Sequence, residues 1–261
     1  MSIAQGLYEG IKIPEKGTVG LITYMRTDST RISEEARTAA KEYIVSMYGE
    51  KYYENRYYKT NKEAQDAHEG IRPTYADLEP EKIKDYLSKD QYKLYKLIYN
   101  RFMASQMSAA VYDTMAVSIG ANNYTFKANG QMIKFKGFMT LYVEGTDQKE
   151  QEEEGMLPDL EEKQELKLEK LEPKQSFTEP PARYTEASLV KALEEKDIGR
   201  PSTYSPTITT ILERRYIEKI QKQLSPTELG RIVNKLLTEN FTDVINVEFT
   251  AKIENEFDEI A

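Results

Sequence analysis

Several residue types are missing or scarce in this chain of 261 residues. It has no cysteine, no tryptophan and one histidine, His68. The lack of cysteine excludes a disulfide framework, a thiol nucleophile and a zinc site built on thiolates, and one imidazole cannot form a histidine cage for a metal. No apolar run approaches the roughly 18 residues of a membrane span, and no basic and then apolar leader follows Met1. We therefore expect a soluble, intracellular protein without a membrane partner.

The net charge of −8 is concentrated in one stretch of the chain. Residues 144–172 hold 12 acidic and 4 basic residues, whereas residues 1–143 and 173–235 are each slightly basic. A small basic excess permits contact with a phosphate backbone but does not require it, since ordinary protein surfaces show the same balance. Charge alone therefore does not identify a nucleic-acid-binding protein.

Turn residues and hydrophobic periodicity divide the chain into three units. In residues 1–108 they predict helices near 3–8, 33–48 and 89–106, with Ser33 as a cap, and a β-prone run over 20–24. The third helix should have one buried apolar face, and tyrosines should decorate the helix around it. The residues predicted on the buried face are Leu94, Leu97, Ile98, Phe102 and Met103, and the decorating tyrosines are Tyr92, Tyr95 and Tyr99.

Residues 109–176 alternate as strands do. We predict a meander over 111–143 with turns at Asn122-Asn123 and Asn129-Gly130, because asparagine and glycine tolerate positive φ. The acidic stretch should follow as a solvated loop, and a strand over 165–171 should rejoin the sheet.

Residues 177–261 begin with an extended linker to 183. Helices are predicted over 185–196 and 205–215, a short β excursion over 217–224, and a helix to 240 opened by a capping box at Ser225–Glu228. This order is typical of a winged helix. The predicted fold class is therefore multidomain α and β, with mainly helical domains flanking an antiparallel β-rich segment.

A dense group of polar residues surrounds Tyr24, directly after the β-prone run. A phenol ionises only near about pH 10 and needs help to act as a nucleophile, and Arg26 could stabilise a phenolate or hold a phosphate. The alternative is a plain turn at Thr27–Ser29 beside one of 19 tyrosines.

Two further segments carry polar side chains suited to phosphate chemistry. In residues 65–74 the single imidazole of His68 is followed by Glu69 and Arg72, although a lone histidine is more often structural. Residues 197–206 combine Arg200 with four hydroxyls just before a helix, a pattern that fits either an anion site or a simple cap.

Together these segments resemble the type IA DNA topoisomerases, and among them the bacterial topoisomerases I. Residues 21–29, Leu-Ile-Thr-Tyr-Met-Arg-Thr-Asp-Ser, resemble the family's active-site tyrosine motif, and residues 67–73, Ala-His-Glu-Gly-Ile-Arg-Pro, resemble its histidine motif. Residues 181–190 and 199–204 resemble the stretch leading to its fourth domain. The order and spacing of the motifs also fit.

The resemblance implies that Tyr24 attacks a phosphodiester of one DNA strand, forms a 5′-phosphotyrosine link and releases a 3′-hydroxyl. Strand passage and religation would then relax negative supercoils without ATP, and no P-loop is present. Arg26 would stabilise the charge on the phosphate, Asp28 would orient its neighbours, and His68 would contact or polarise the phosphate. The residues implied to bind single-stranded DNA are Arg72, Arg183, Arg200, Ser202, Thr203 and Arg214.

The resemblance also assigns the units. Residues 1–108 would be the helical domain bearing the tyrosine, 109–176 a β-rich arch or hinge, and 177–261 part of a single-strand-binding domain. A Toprim domain holding the Mg²⁺ ligands would precede Met1, and zinc ribbons would follow the chain. We expect the chain to bind no metal itself, to be inactive alone, and to be a monomer in the bacterial cytoplasm, at the nucleoid.

The residues leave other interpretations open. Residues after 185 could form a DNA-binding module in which Tyr24 has no chemical role, or residues 107–180 could be a mechanical hinge. A tyrosine recombinase would carry its tyrosine near the C-terminus, after its arginines and histidine, which is the reverse of the order here.

Overall fold

The computed structural model describes residues 1–14, 16–58, 68–144 and 157–260. The first part of the chain is helical, as predicted, with α1 at Ser2–Glu9, α2 at Glu34–Tyr48, α3 at Pro80–Ile83 and α4 at Lys89–Ser105. Ser33 caps α2 by accepting a hydrogen bond from the Ala36 N–H, and Gly49 ends it at φ 94°. These local signals confirm the predicted bounds of α2, and the predicted helices near 3–8 and 89–106 are confirmed as α1 and α4.

Helices α1, α2 and α4 pack around one apolar core that includes Leu7, Ile44 and Met103. Tyr95 and Tyr99 also lie in this core, so the prediction that they decorate the helix is wrong. Burial is tolerated because their hydroxyls donate to backbone carbonyls, to Leu78 at 2.7 Å and to Ala76 at 2.6 Å. Leu97, predicted to be buried, is 51% exposed.

Two short strands, β1 at Ile11–Ile13 and β2 at Gly17–Val19, form an antiparallel hairpin after α1. The β-prone run over 20–24 does not continue β2 as a strand. It forms a single antiparallel bridge between Ile22 and Pro73, because its other backbone groups bond to the end of α1 and to residues 72–74.

The middle of the chain is a long hairpin of β3 at Val111–Ala121 and β4 at Tyr124–Phe135, with Asn122 at φ 53° in its turn. The prediction of a second turn at Asn129-Gly130 is wrong, because these residues pair with Ala116 and Met115 in the same ladder. A 3₁₀ turn over Gly137–Thr140 follows instead of further strands.

The predicted strand over 165–171 is also wrong, since residues 157–180 contain neither helix nor strand. Leu168 is 75% exposed, so the alternating leucines do not pack on a sheet. Part of the predicted acidic loop, residues 145–156, lies outside the described residues.

The last part of the chain follows the predicted order of helix, helix, short β segment and helix, and the β segment is a hairpin of two strands. The elements are α5 at Glu186–Glu194, α6 at Tyr204–Glu213, β5 at Ile217–Ile220, β6 at Gln223–Pro226, α7 at Glu228–Asn240 and, unpredicted, α8 at Val247–Ile260. The cap of α7 is Thr227 and not Ser225, because Ser225 pairs with Glu218 in the hairpin. The described residues thus confirm a mixed α and β fold with antiparallel hairpins. Among these helices, none has the length and apolar character needed to cross a membrane.

Candidate active site

The backbone before Tyr24 is held between two segments. The Leu21 N–H donates to the Leu7 carbonyl at 2.8 Å, at the end of α1, and the Leu21 carbonyl accepts from the Thr74 N–H at 3.0 Å. Gly20 permits this close approach, since a Cβ atom there would lie 2.5 Å from the Tyr8 carbonyl oxygen. The packing of α1 therefore fixes where the tyrosine loop begins.

Thr23 ties this loop to the histidine segment. Its hydroxyl donates to the Gly70 carbonyl at 2.9 Å and accepts from the Arg72 N–H at 3.0 Å, while the Thr23 N–H donates to the Arg72 carbonyl at 3.0 Å. Three hydrogen bonds thus join residues that are 47 to 49 positions apart in the chain.

The consequence is that Tyr24 and His68 lie in contact. Their rings stack with centroids 5.1 Å apart and an interplanar angle of 29°, and both side chains are half-buried. Residues 65–67 of the same segment lie outside the described residues. The geometry brings the single imidazole to the tyrosine that the sequence singles out, a proximity that no sequence pattern could establish.

Tyr8 completes the surroundings of Tyr24. Its ring meets that of Tyr24 edge-on, with centroids 5.5 Å apart and an interplanar angle of 67°. Such edge-to-face pairs stabilise by about 0.5–1.5 kcal/mol beyond burial. Sequence reasoning missed this residue, because nothing distinguishes Tyr8 from the other tyrosines before the fold is known.

Glu69 and Arg72 stabilise the histidine segment through hydrogen bonds to each other and to Ser33. The Arg72 Nε donates to Glu69 Oε2 at 2.8 Å, and the Ser33 N–H donates to the same oxygen at 3.1 Å. Partial burial favours the neutral acid, but the hydrogen bonds from Arg72 and Ser33 outweigh it and lower the pKa of Glu69. The guanidinium of Arg72 is thereby engaged in holding the loop, a structural role that the sequence did not predict.

Arg26 and Asp28 are exposed beyond the tyrosine. Arg26 lines a cleft of about 330 Å³ whose other wall includes Ser202, Ser205 and Thr209 at the start of α6. Burial raises the pKa of Tyr204, and the negative charge of Asp28 adds to this effect. The first and third predicted segments therefore face each other across one cleft.

The wall formed by residues 199–204 is internally bonded. Gly199 adopts φ 78°, the Arg200 N–H donates to the Thr203 hydroxyl at 2.9 Å, and that hydroxyl donates back to the Arg200 carbonyl at 3.1 Å. The Arg200 guanidinium bonds to the Gly199 carbonyl at 2.7 Å and lies 3.7 Å from the Glu254 carboxylate of α8. Thr203 is therefore a turn residue, and α8 orients Arg200.

Two predicted DNA ligands, Arg183 and Arg214, do not line this cleft. Arg183 lines a separate, mostly apolar groove of about 660 Å³ with Pro180, Leu189 and Leu224. Arg214 is at the C-terminal cap of α6, and its N–H donates at 3.0 Å to the carbonyl of Thr210, which lines the cleft one turn earlier. The structure therefore does not bring all the predicted ligands to one place.

Metal-binding side chains are spread out over the described residues. Nowhere in the described ranges do three or more histidine or acidic side chains converge as a metal-binding group. Since Mg²⁺ is held mainly by carboxylate oxygens, no chemical step is assigned to a metal on this chain.

The chain matches known proteins in two comparisons. The family model described as DNA topoisomerase matches residues 1–261. The chain is similar to full-length topoisomerase I from Thermotoga maritima, with 38% sequence identity and a TM-score of 0.80. The match covers 100% of this chain but only 42% of that protein, so the chain spans less than half of its relative's length.

Proposed function

Because the chain belongs to the DNA topoisomerase family, we propose that it supplies the nucleophile and one wall of the strand-binding cleft of a type IA topoisomerase. The observation that carries the proposal is the stacking of Tyr24 on His68, 5.1 Å apart, beside the cleft lined by Arg26 and Ser202. The substrate is a single DNA strand in negatively supercoiled DNA.

In this proposal the Tyr24 oxygen attacks a backbone phosphorus, and a new bond from this oxygen to phosphorus forms as the bond to the 3′ oxygen breaks. The phenolic proton leaves Tyr24, and a proton is gained by the 3′ oxygen, which departs as a hydroxyl. The products are a 5′-phosphotyrosine and a free 3′-hydroxyl. Religation is the reverse reaction, and the bond energy retained in the phosphotyrosine explains why ATP is not needed.

Three side chains assist the attack. Arg26 lies two residues after Tyr24 and faces the cleft, where its guanidinium can pair with the phosphate oxygens. His68 orients the phenol by stacking and can contact the same phosphate. Asp28, whose charge reaches Tyr204 on the opposite wall, orients the groups between them.

The opposite wall holds the strand. Ser202, Ser205 and Thr209 line the cleft, and Arg200 and Thr203 shape the turn that leads into α6. Hydroxyls and guanidinium groups are common contacts for the DNA backbone. Arg72 acts through the position of His68, whereas Arg183 and Arg214 extend the binding surface beyond the cleft.

The chain is expected to be inactive alone. It spans 42% of its relative's length, and its described residues offer no carboxylate cluster for magnesium. We propose that a Toprim domain supplies the metal and the remaining catalytic groups, and that this chain acts as a monomer with it in the bacterial cytoplasm. The three units at 1–108, 109–176 and 177–261 would serve as tyrosine domain, arch and strand-binding domain.

The test is cleavage of a 3′-labelled single-stranded oligonucleotide by this chain mixed with a separately expressed Toprim domain and magnesium. The wild-type chain should form a covalent adduct with the labelled strand, and Tyr24→Phe should form none. Tyr8→Phe, which keeps the edge-on ring, is the matched control and should form the adduct.

Two results would overturn the proposal. One is equal DNA binding by wild type and Tyr24→Phe with no adduct from either, which would favour a binding module built on residues after 185. The other is magnesium-dependent relaxation of supercoiled plasmid by the 261-residue chain alone, which would contradict the requirement for a Toprim domain.

A further inference from the structure

A second surface with aromatic and charged side chains is formed by α2 and the segment that follows it. It consists of Arg37 and Lys41 on α2 and of Tyr53, Asn55 and Tyr57 in the segment after α2, and we call it the Tyr57 surface. The Arg37 N–H donates to the carbonyl of Ser33, the residue that also bonds Glu69. Arg37 therefore lies one turn of α2, about 6 Å along the helix axis, after the residue that bonds Glu69, the neighbour of His68 in the chain.

The chain is anchored on both sides of Tyr57, by backbone pairing at Tyr53 and by a side chain at Tyr58. Tyr53 forms an antiparallel bridge with Met107, and the Tyr58 hydroxyl donates to the Ser105 carbonyl at 2.7 Å. Between these anchors Tyr57 remains 70% exposed. Because most of the Tyr57 ring is open to solvent, the ring contributes little hydrophobic stabilisation to the fold.

The ring of Tyr57 is also held in place. The guanidinium carbon of Arg37 lies 4.0 Å from its centroid, and the Asn55 amide donates to its hydroxyl at 3.4 Å. The hydrogen bond from Arg37 is the main reason that the pKa of Tyr57 lies below its ordinary value. One face of the ring is thus covered by a cation while the rest is open.

Charge is nearly balanced around the ring. Arg56 forms an ion pair with Glu54 at 2.6 Å. The negative charge of Glu34 raises the pKa of Tyr57, whereas Arg37 lowers it. Lys41 lies over the ring of Tyr53 at 5.6 Å. A surface with exposed aromatic faces and little net charge is suited to stacking flat groups more than to attracting a phosphate chain.

We propose that Tyr57, braced by Arg37, is a stacking site for an unpaired base of single-stranded DNA outside the cleavage cleft. The choice of ligand rests on the proposed function, which places a single DNA strand at Tyr24. The loop that begins at Tyr24 ends at Ser33, the cap of α2, and α2 carries Arg37. Base stacking on tyrosine is tolerant of sequence, so the site holds the strand without selecting a base.

The first measurement is binding of a fluorescein-labelled oligothymidine strand to the 261-residue chain, followed by anisotropy. Tyr57→Ala should weaken binding about fivefold or more, and Tyr57→Phe should stay within about twofold of wild type because the ring is retained. The matched control is Tyr124→Ala, because Tyr124 is 74% exposed but lies at the tip of the β3–β4 hairpin. The salt dependence of binding should not change in Tyr57→Ala, since stacking releases no counterions.

The second measurement detects the stacking itself. Because the chain has no tryptophan, Tyr57→Trp and Tyr124→Trp each introduce a single tryptophan, whose emission can be excited apart from that of the tyrosines. Adding the oligothymidine strand should quench the emission of Tyr57→Trp at the concentrations that raise anisotropy, and should leave that of Tyr124→Trp unchanged.

Unchanged affinity in Tyr57→Ala, or no quenching in Tyr57→Trp when the strand is bound, would overturn the proposal. So would equal quenching by a duplex that has no unpaired base. None of these measurements requires cleavage, so failure of stacking at Tyr57 is distinct from failure of adduct formation at Tyr24.

Discussion

The two walls of the candidate cleft belong to regions with very different packing. Among the described residues, the connected apolar core lies entirely between Ala4 and Met107, on the side of Tyr24. Of the side chains described after residue 185, Ile208 and Leu224 are the buried apolar ones, and the helices there expose large apolar side chains such as Ile232, Leu236 and Phe257. Tyr24, the proposed nucleophile, therefore lies in the well-packed region, and the opposite wall belongs to a region with few buried residues.

This difference suits the proposed chemistry. The attacking phenol must be held close to the position and orientation in which it reacts, which requires neighbouring side chains that are fixed by packing. A wall that binds and later releases a strand has to move, and segments with few buried contacts open at a lower free energy. Each prediction below tests this contrast, from the largest expected effect to the smallest.

The largest effect should come from a cavity in the first region. Met103 is fully buried in the core, and Met103→Ala should lower the free energy of unfolding by about 2–5 kcal/mol. Met47→Ala is the matched control, because Met47 is 55% exposed on α2, and should change it by less than about 0.5 kcal/mol. Hydrogen exchange should show the loss of protection in residues 1–108 and little change after 185. Equal loss in both regions would contradict the contrast.

The next effect concerns the brace behind His68. Glu69→Gln removes the charge that pairs with the half-buried Arg72 and should destabilise the first region by about 1–3 kcal/mol at neutral pH. Because folding lowers the pKa of Glu69 from its ordinary value of 4.5, this stabilisation is complete above that value and is lost as pH falls through the folded-state pKa.

The check is urea unfolding of wild type and Glu69→Gln at several pH values. The difference between them should be largest near pH 7 and shrink steadily below about pH 4.5. A difference that is constant across this range would show that the carboxylate charge is not what braces the segment.

The helices could be predicted from sequence where their signals are local. Ser33, Gly49 and Ser88 act within one turn of the ends they define, so the bounds of α2 and α4 follow from neighbouring residues alone. The buried face of α4 could not be predicted in the same way. Tyr95 and Tyr99 are in the core only because carbonyls at residues 76 and 78 accept their hydroxyl protons, and those carbonyls come from a distant segment.

Strands were predicted less well because pairing is not local. Asn129-Gly130 has the composition of a turn, yet the register of eleven residue pairs across β3 and β4 places it inside a strand. The candidate site shows the same limit. The motif singled out Tyr24 and His68, but their contact depends on Thr23 bonding to residues 70 and 72, and Tyr8 carried no sequence signal at all.

A smaller effect is expected in the thinly packed region. Thr227 caps α7 by accepting from the Gly230 N–H at 3.0 Å, and its hydroxyl also donates to the Arg215 carbonyl at 2.7 Å. Thr227→Ala should therefore destabilise α7 by about 1 kcal/mol. Ser225→Ala is the control, because the sequence pattern predicted Ser225 as the cap but the residue lies in β6. Amide hydrogen exchange in residues 228–240 should become faster in Thr227→Ala and stay unchanged in Ser225→Ala. Faster exchange in Ser225→Ala alone would show that Ser225 caps the helix after all.

The smallest effect on stability should come from the contact between α8 and the cleft wall. The Arg200 guanidinium lies 3.7 Å from the Glu254 carboxylate, and both side chains are partly exposed, so Glu254→Gln should cost only about 0.5 kcal/mol. The Arg200 bond to the Glu254 carbonyl does not involve the altered side chain and should persist. Because the carboxylate competes with a DNA phosphate for the same cation, the variant should bind an oligothymidine strand at least as tightly as wild type. Weaker binding in an anisotropy titration would mean that this ion pair with α8 holds Arg200 in the orientation that binds DNA. The region after residue 185 would then be more ordered than its few buried residues indicate.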